Sequence, residues 1–163
     1  MERRKVLNGT FEVALRILAI LTTCKRAMTV ERMTIYSYFT LYLSDYQAEE
    51  KNVHPAIPNR NASYVNSKDV IMDALEMLLK KGLIESDVKT TALRFQATEL
   101  GTLLYGQMDG AYKDKLVESI KRTHTLMKGK TDRNLNDYVY NNMAKWGSEF
   151  EYESVLKELG YAE

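Results

Sequence analysis

Apolar residues recur at helical spacing between residues 66 and 81, and this is the clearest pattern in the chain. Spacings of three and four residues place them on one face of a helix, which predicts an amphipathic helix. Asn66 or Ser67 is suited to cap its start, and Gly82 is suited to a left-handed conformation at its end. The predicted inward positions are Val70, Ile71, Ala74, Leu75, Leu78 and Leu79.

Two short β-prone runs follow this helix, at 83–86 and 92–97, and the polar segment 87–91 joins them. This pattern predicts a hairpin. Thr98 is then expected to cap a further helix, with Leu100, Leu103 and Leu104 inward. Helix, glycine, hairpin and helix form the second half of a winged helix-turn-helix. The predicted fold class is therefore mainly α with a small β-hairpin (α+β), and it leaves the function open, since winged helices bind proteins as well as DNA.

Residues 10–25 carry apolar side chains around more than half of a helix, so other elements should nearly surround this helix. Arg16 is the exception, and we expect it to snorkel to the surface or to form a partly exposed pair with Glu12, one turn earlier. Thr29 is expected to cap a second helix that is rich in aromatic residues. Tyrosines suit both a core and a protein interface, and we expect both uses here. The aromatic cluster comprises Tyr36, Tyr38, Phe39, Tyr42 and Tyr46.

The segment 46–66 shows neither helical nor strand periodicity, and it contains both prolines of the chain, Pro55 and Pro58. Proline restricts its own backbone and that of the preceding residue, so the centre of this loop should be stiff. Such a loop either has a function or covers the core. His54 could be a ligand or an acid–base group, but a hydrogen-bonded structural histidine is favoured because no partner for chemistry is nearby. Arg60 is the better binding candidate, for a carboxylate or a phosphate.

The C-terminal part is predicted to contain a helix at 111–130 with Tyr112 among its inward residues, a further helix that Thr131 and Asp132 can start, and a short terminal helix with Val155, Leu156 and Leu159. We therefore predict a winged-helix domain at 1–108 and a helical extension at 109–163. The segment 113–133 contains seven basic residues and only three acidic ones. They form either a solvated helix face or a weak candidate site for the nucleic-acid backbone. These residues are Lys113, Lys115, Lys121, Arg122, Lys128, Lys130 and Arg133.

Composition limits the function further. The net charge is only +1, so no overall field attracts the chain to nucleic acid or to an anionic membrane. Cys24 is the single cysteine, which excludes an internal disulfide, and with His54 and His124 alone it cannot form a zinc site. Glu12 and Arg16 interrupt the N-terminal apolar run, so we expect a soluble cytoplasmic protein without membrane contact. No phosphate-binding glycine loop or catalytic triad is found, so the sequence predicts neither an enzyme nor a cofactor.

The predicted helix at 67–81 does not suit DNA reading. Its outer face carries Asp69, Asp73 and Glu76, which a phosphate groove would repel. The link to the preceding helix is also about twenty residues, where a helix-turn-helix uses three or four. Protein contacts are therefore favoured, and a stand-alone winged-helix transcription regulator that binds DNA is the alternative.

Several spaced motifs together resemble a known family. They are NGTFEVALRIL at 8–18, Tyr38 and Asp45, HPAIPNR at 54–60, the helix and Gly-Leu-Ile at 68–84, and ATELG at 97–101. The combination is similar to the middle component of ABC-three-component systems, the small subunit of Lamassu antiphage defence. The resemblance covers roughly residues 7–105.

The resemblance implies a non-enzymatic adaptor. Such a subunit sits between an SMC-like ATPase and an effector, commonly a nuclease, and contacts DNA only indirectly or weakly. Candidate partner contacts are either interface residues or braces of the fold, for example through an Arg16–Asp45 pair or through His54 and Arg60 pinning the loop onto the first helix. These candidates are Phe11, Arg16, Tyr38, Tyr42, Asp45, His54, Pro55, Pro58 and Arg60.

Overall fold

A computed structural model describes residues 9–87, 91–148 and 158–160 of the chain. These residues are mainly helical and contain a small two-stranded antiparallel sheet, which confirms the predicted balance of α and β structure. Short 3-10 turns follow the helix at Val30–Leu41, at Leu43–Asp45, and the helix at Asp132–Asn142, at Met143–Lys145. The elements are α1 (Thr10–Cys24), α2 (Val30–Leu41), α3 (Arg60–Val65), α4 (Ser67–Lys80), β1 (Ile84–Asp87), β2 (Arg94–Ala97), α5 (Glu99–Gly106), α6 (Ala111–Met127) and α7 (Asp132–Asn142).

Helix α1 lies at the centre of the fold and packs against α2, α4, α5 and α6. Its apolar residues cover most of its circumference and other elements pack around it, so Ile17, Leu18 and Ile20 are fully buried. Phe11, in the first turn, is the exception, with 64% of its surface exposed. The prediction of a nearly surrounded helix is therefore confirmed except at its N-terminal end.

Three threonines cap helices as predicted. Thr29, Thr98 and Thr131 each accept a hydrogen bond from the backbone N–H three residues later, at the starts of α2, α5 and α7. A side-chain oxygen at this position satisfies a backbone donor that the helix itself leaves without an acceptor. Gly82 has the predicted left-handed backbone after α4, with φ 67°.

The hairpin is attached to the connection between α1 and α2. Strands β1 and β2 pair with Ile84 opposite Ala97 and Asp87 opposite Arg94. Met28 adds a further β-bridge: its N–H donates to the Phe95 carbonyl at 2.9 Å, and the Phe95 N–H donates back at 2.8 Å. A single bridging residue has no periodicity, so the sequence pattern missed it.

Helices α6 and α7 share a hydrophobic core with the preceding elements. Helix α6 packs against both α1 and α2, and α7 packs against α2. The fully buried Ile120 of α6 and the buried Leu135 of α7 belong to the same cluster as Ile17 and Tyr36. In the described part of the chain the residues after 108 are thus integrated with those before it, and the division into two domains stays a prediction.

The orientation predicted for α5 is wrong. Leu100, Leu103 and Leu104 are 54%, 60% and 37% exposed, whereas Gly101 and Tyr105 face the interior. The reason is a close backbone approach, because a Cβ atom on residue 101 would lie 2.0 Å from the Leu83 carbonyl oxygen. Only the glycine face can come this near, so the leucines turn outward.

Other predictions need smaller corrections. Leu79 of α4 and Tyr112 of α6, both predicted inward, are 41% and 55% exposed. Helix α3 lies inside the segment predicted to be a loop, because its six residues are too short to show a helical period. The predicted terminal helix falls largely in residues 149–157, outside the described residues.

Candidate functional site

A buried ion pair joins the proline-containing loop to the end of α2. The Arg60 Nε donates to Asp45 Oδ2 at 2.7 Å, and Nη2 donates to Oδ1 at 2.7 Å. The two side chains are only 6% and 8% exposed. The Tyr38 hydroxyl donates to the same carboxylate at 2.6 Å. These three candidate partner contacts therefore brace the fold internally, through a pair that the sequence did not predict.

Aromatic rings enclose this ion pair. Trp146 stacks on Tyr38 with ring centroids 4.5 Å apart, and the Tyr138 hydroxyl donates to the Asp45 carbonyl at 3.4 Å. Burial, together with the hydrogen bond to Asp45, raises the pKa of Tyr38. A Cβ on Gly147 would lie 2.5 Å from the Asn59 nitrogen, so the segment after α7 packs directly on the loop. The loop is consequently held from two sides.

Arg16 lies in the interior, so the expected partly exposed pair with Glu12 is wrong. Only 7% of Arg16 is exposed, and its Nε donates to Ser37 Oγ at 2.9 Å. Burial lowers the pKa of Arg16, and the charge of Glu12 acts in the opposite direction. Arg16 also lines a cavity of about 200 Å³, together with residues of α2, α3 and α4 such as Ser37 and Tyr64. The suggested Arg16–Asp45 pair is replaced by the Arg60–Asp45 pair.

The surface part of the site lies where the loop meets α1 and α6. The His54 Nε2 and the Tyr112 hydroxyl are hydrogen-bonded at 2.8 Å. Both line a cavity of about 290 Å³ with Glu12, Leu15 and Arg16. The pKa of His54 is lowered, first by burial and then by the charge of Arg16. His54 therefore has a structural hydrogen bond, as the sequence favoured, but its partner lies on α6.

The candidate partner contacts thus separate into a buried group, to which the Asp45 side chain also belongs, and an exposed group, while His54 is half-buried. Arg16, Tyr42 and Arg60 are buried, as is Tyr38, and they support the fold from inside. Phe11 is exposed, and so are Pro55 and Pro58 with Ile57 between them. Sequence reasoning missed Ile57 and Tyr112, and the only available signal was their position beside residues that it had selected.

Two of the seven basic residues of the C-terminal part are engaged within the protein. The Lys113 Nζ donates to the carbonyls of Tyr105 at 2.8 Å and Met108 at 2.5 Å, and so stabilises the end of α5. Arg122 pairs with Glu50. The remaining basic residues, Lys115, Lys121, Lys128, Lys130 and Arg133, are exposed.

Arg32, a third buried arginine, fixes the turn between α6 and α7. The Arg32 Nε donates to Asp132 Oδ1 at 2.6 Å, and the Thr29 hydroxyl donates to Oδ2 at 2.6 Å. Arg32 also donates to the carbonyls of Met127, at 3.4 Å, and Lys130, at 2.5 Å, at the end of α6. A cation is favourable at a helix C-terminus. The only sequence feature that pointed to this contact was Arg32 itself, the single arginine of the aromatic-rich helix α2.

We predict that Asp132 makes stability depend on pH. Burial alone would raise the pKa of Asp132, but hydrogen bonds from Thr29 and Arg32 and the charge of Arg32 lower it overall. A carboxyl with a lowered pKa stabilises the fold above its ordinary pKa of about 3.9, and this stabilisation is lost as the pH falls through the lowered value. Asp132→Asn should therefore cost about 2 kcal/mol in the free energy of unfolding near neutral pH.

Urea unfolding of both proteins across the pH range measures this difference. The difference in the free energy of unfolding between the wild type and the variant should vanish at pH values below the lowered pKa, where the wild-type carboxyl is also neutral. A gap of constant size at all pH values would contradict the ionic role of Asp132.

Three further features of the described residues bear on chemistry. Within the described ranges 9–87 and 91–148, no three His, Cys, Asp or Glu side chains lie close enough together to hold a metal ion. None of the helices in these ranges is both long and apolar enough to cross a lipid bilayer. Burial raises the pKa of the half-buried Cys24 thiol to about 12, so this thiol is a poor nucleophile at neutral pH.

The fold and the site define a small helical protein whose buried charges brace a stiff surface loop. The chain belongs to the family described as ABC-three component (ABC-3C) system Middle Component 2, whose family model matches residues 6–149. This confirms the resemblance to a middle component, and a middle component of a three-component system has partner subunits. Neither the curated proteins nor the solved structures gave a match to this chain.

Proposed function

We propose that the chain is a non-catalytic adaptor that links an SMC-like ATPase to an effector, such as a nuclease, in a Lamassu-type antiphage or anti-plasmid defence complex. The observation that carries this proposal is its membership of the Middle Component 2 family over residues 6–149. The described geometry supports it, because the charged residues of the site are engaged in holding the loop and α2 together.

The partner surface that we propose comprises Phe11, His54, Pro55, Ile57 and Pro58, and we call it the loop surface. Its apolar members are exposed, with Phe11 at 64% and Ile57 at 43%. The buried Arg60–Asp45 pair holds the loop from beneath, so little conformational entropy would be lost on binding. A rigid, partly apolar surface of this kind suits a protein partner.

We further propose that α1, the Met28 bridge, α2, α4 and the hairpin form a winged helix that is used for protein contacts. The order of these elements supports a winged helix. Helix α4 would be its reading helix, yet Asp69, Asp73 and Glu76 are all exposed on its outer face. These carboxylates would repel a phosphate groove, which argues against major-groove reading.

Co-expression with the neighbouring genes tests the adaptor proposal. The tagged chain should recover an SMC-like ATPase and an effector-like protein, identified by mass spectrometry. Ile57→Asp should lower the recovery of one partner at least tenfold, because it places a charge in an apolar interface. Leu103→Asp, on the exposed face of α5, is the matched control and should leave recovery unchanged.

Other outcomes would change the conclusion. If Leu103→Asp loses the partner and Ile57→Asp keeps it, the loop surface is not the docking site. A chain that is recovered alone and binds one defined duplex tightly and specifically would be a stand-alone transcription regulator instead.

A further inference from the structure

Two turns that are far apart in sequence meet at one end of the molecule and place basic residues side by side. Arg26, in the α1–α2 turn, donates through Nη1 to the Lys128 carbonyl, in the α6–α7 turn, at 3.1 Å. Arg32 holds the same turn by donating to the Lys130 carbonyl. We call the four exposed residues Lys25, Arg26, Lys128 and Lys130 the turn patch.

The positive charge of the turn patch is not neutralised within the described part of the chain. None of its four members forms an ion pair there. The nearby carboxylate of Asp132 is held by Arg32 and Thr29. The pKa of the neighbouring His124 is lowered, first by burial and then by the charges of Arg26 and Lys128, which agrees with a positive local field.

The composition of the turn patch favours phosphate over a protein partner. Protein interfaces are depleted in lysine and enriched in aromatic residues and methionine. Three of the four patch residues are lysines, and none of the large exposed apolar side chains falls within 25–29 or 127–133. Lysines on two turns can each reach a phosphate as a separate point charge.

We propose that the turn patch binds the phosphodiester backbone of duplex DNA without reading its sequence. This site goes beyond the adaptor function and does not depend on the partner subunits. It differs from the basic residues that the sequence suggested, because two of its members come from the α1–α2 turn and because Lys113 and Arg122 are engaged elsewhere.

Fluorescence anisotropy of a labelled duplex of mixed sequence, titrated with the full chain alone, tests the proposal. Four phosphate contacts predict that the association constant falls about 150-fold between 50 and 200 mM salt. Lys128→Ala with Lys130→Ala removes two contacts, so binding should weaken at 50 mM and the fall should shrink to about 12-fold. Both side chains are exposed, and thermal unfolding should show the fold unchanged.

The matched control is Lys115→Ala with Lys121→Ala, which removes two exposed lysines from the body of α6 and should leave binding unchanged. The proposal is overturned if the chain does not bind the duplex at 50 mM salt, or if the control weakens binding as much as the patch variant. It is also overturned if the patch variant loses a partner protein while its duplex binding matches that of the wild type, since the patch would then recognise an acidic protein surface. Because the titration uses the chain alone, its failure leaves the co-expression result unaffected.

Discussion

Replacing Arg60 with alanine is expected to lower the free energy of unfolding by about 3–5 kcal/mol, because the substitution leaves the Asp45 carboxylate buried without its cation. The pair is bidentate, and both side chains are more than nine-tenths buried. The Tyr38 hydroxyl would still donate to Asp45, but one neutral donor does not replace a guanidinium. Urea unfolding followed by circular dichroism measures the loss.

The matched control for this prediction is Lys80→Ala. Lys80 also pairs with a carboxylate, that of Glu76, but the two side chains are 74% and 62% exposed. Water already solvates such a pair, so its removal should leave the unfolding midpoint unchanged within error. Equal effects of the two substitutions would show that the Arg60–Asp45 pair is not the main support of the loop.

A consequence for the partner surface follows from the same pair. If the loop surface docks the partner, Arg60→Ala should also reduce partner recovery in the co-expression experiment, although Arg60 itself is buried. The reason is that the loop would no longer be held in one conformation before binding. Recovery at a temperature where the variant remains folded separates this effect from simple unfolding.

Replacing Gly101 with alanine is expected to cost about 3 kcal/mol, near the upper end of what overpacking usually costs. The new methyl group would lie 2.0 Å from the Leu83 carbonyl oxygen and 3.1 Å from a Leu18 methyl. The first neighbour is backbone and cannot rotate away, so α5 would have to move away from Leu83. The measurement is again the free energy of unfolding, with near-ultraviolet circular dichroism to report on packing.

Gly106→Ala, in the same helix, provides the control. Apart from its chain neighbours and the backbone of its own helix, no atom in the described part of the chain lies within 4 Å of the position where its Cβ would stand. Alanine favours helix over glycine by up to about 1 kcal/mol, so this variant should be neutral or slightly more stable. The same glycine-to-alanine change should thus lower the free energy of unfolding at residue 101 but not at residue 106. A stabilising Gly101→Ala would disprove the close packing of α5.

The sequence could predict contacts of the site between residues close together in the chain more readily than contacts between residues far apart in the chain. The sequence selected Arg60 from its place in the loop and Asp45 by resemblance, but it did not pair them. It treated Arg16 as a partner of Glu12, the nearest carboxylate on the same helix, whereas the structure buries Arg16 against Ser37 of α2. Arg32 was not selected at all, although it holds Asp132, a hundred residues away in the chain.

Features that arise within one turn or one helix were determined by the sequence itself. The three threonine caps, the left-handed Gly82 and the inward face of α4 around Leu75 depend on atoms a few residues apart, so local spacing was sufficient to predict them. The family could also be predicted from the sequence, because spaced motifs can be recognised without knowing which residues are in contact.

Only the tertiary structure decided which face of α5 is buried, which arginines are internal and which basic residues share a surface. An amphipathic pattern records where apolar residues lie on a helix, but the burial of Gly101 rather than Leu103 depends on how near the Leu83 carbonyl comes. The turn patch likewise exists only because the fold brings Arg26 beside Lys128. Charges and packing act through space, and the chain order alone does not state those distances.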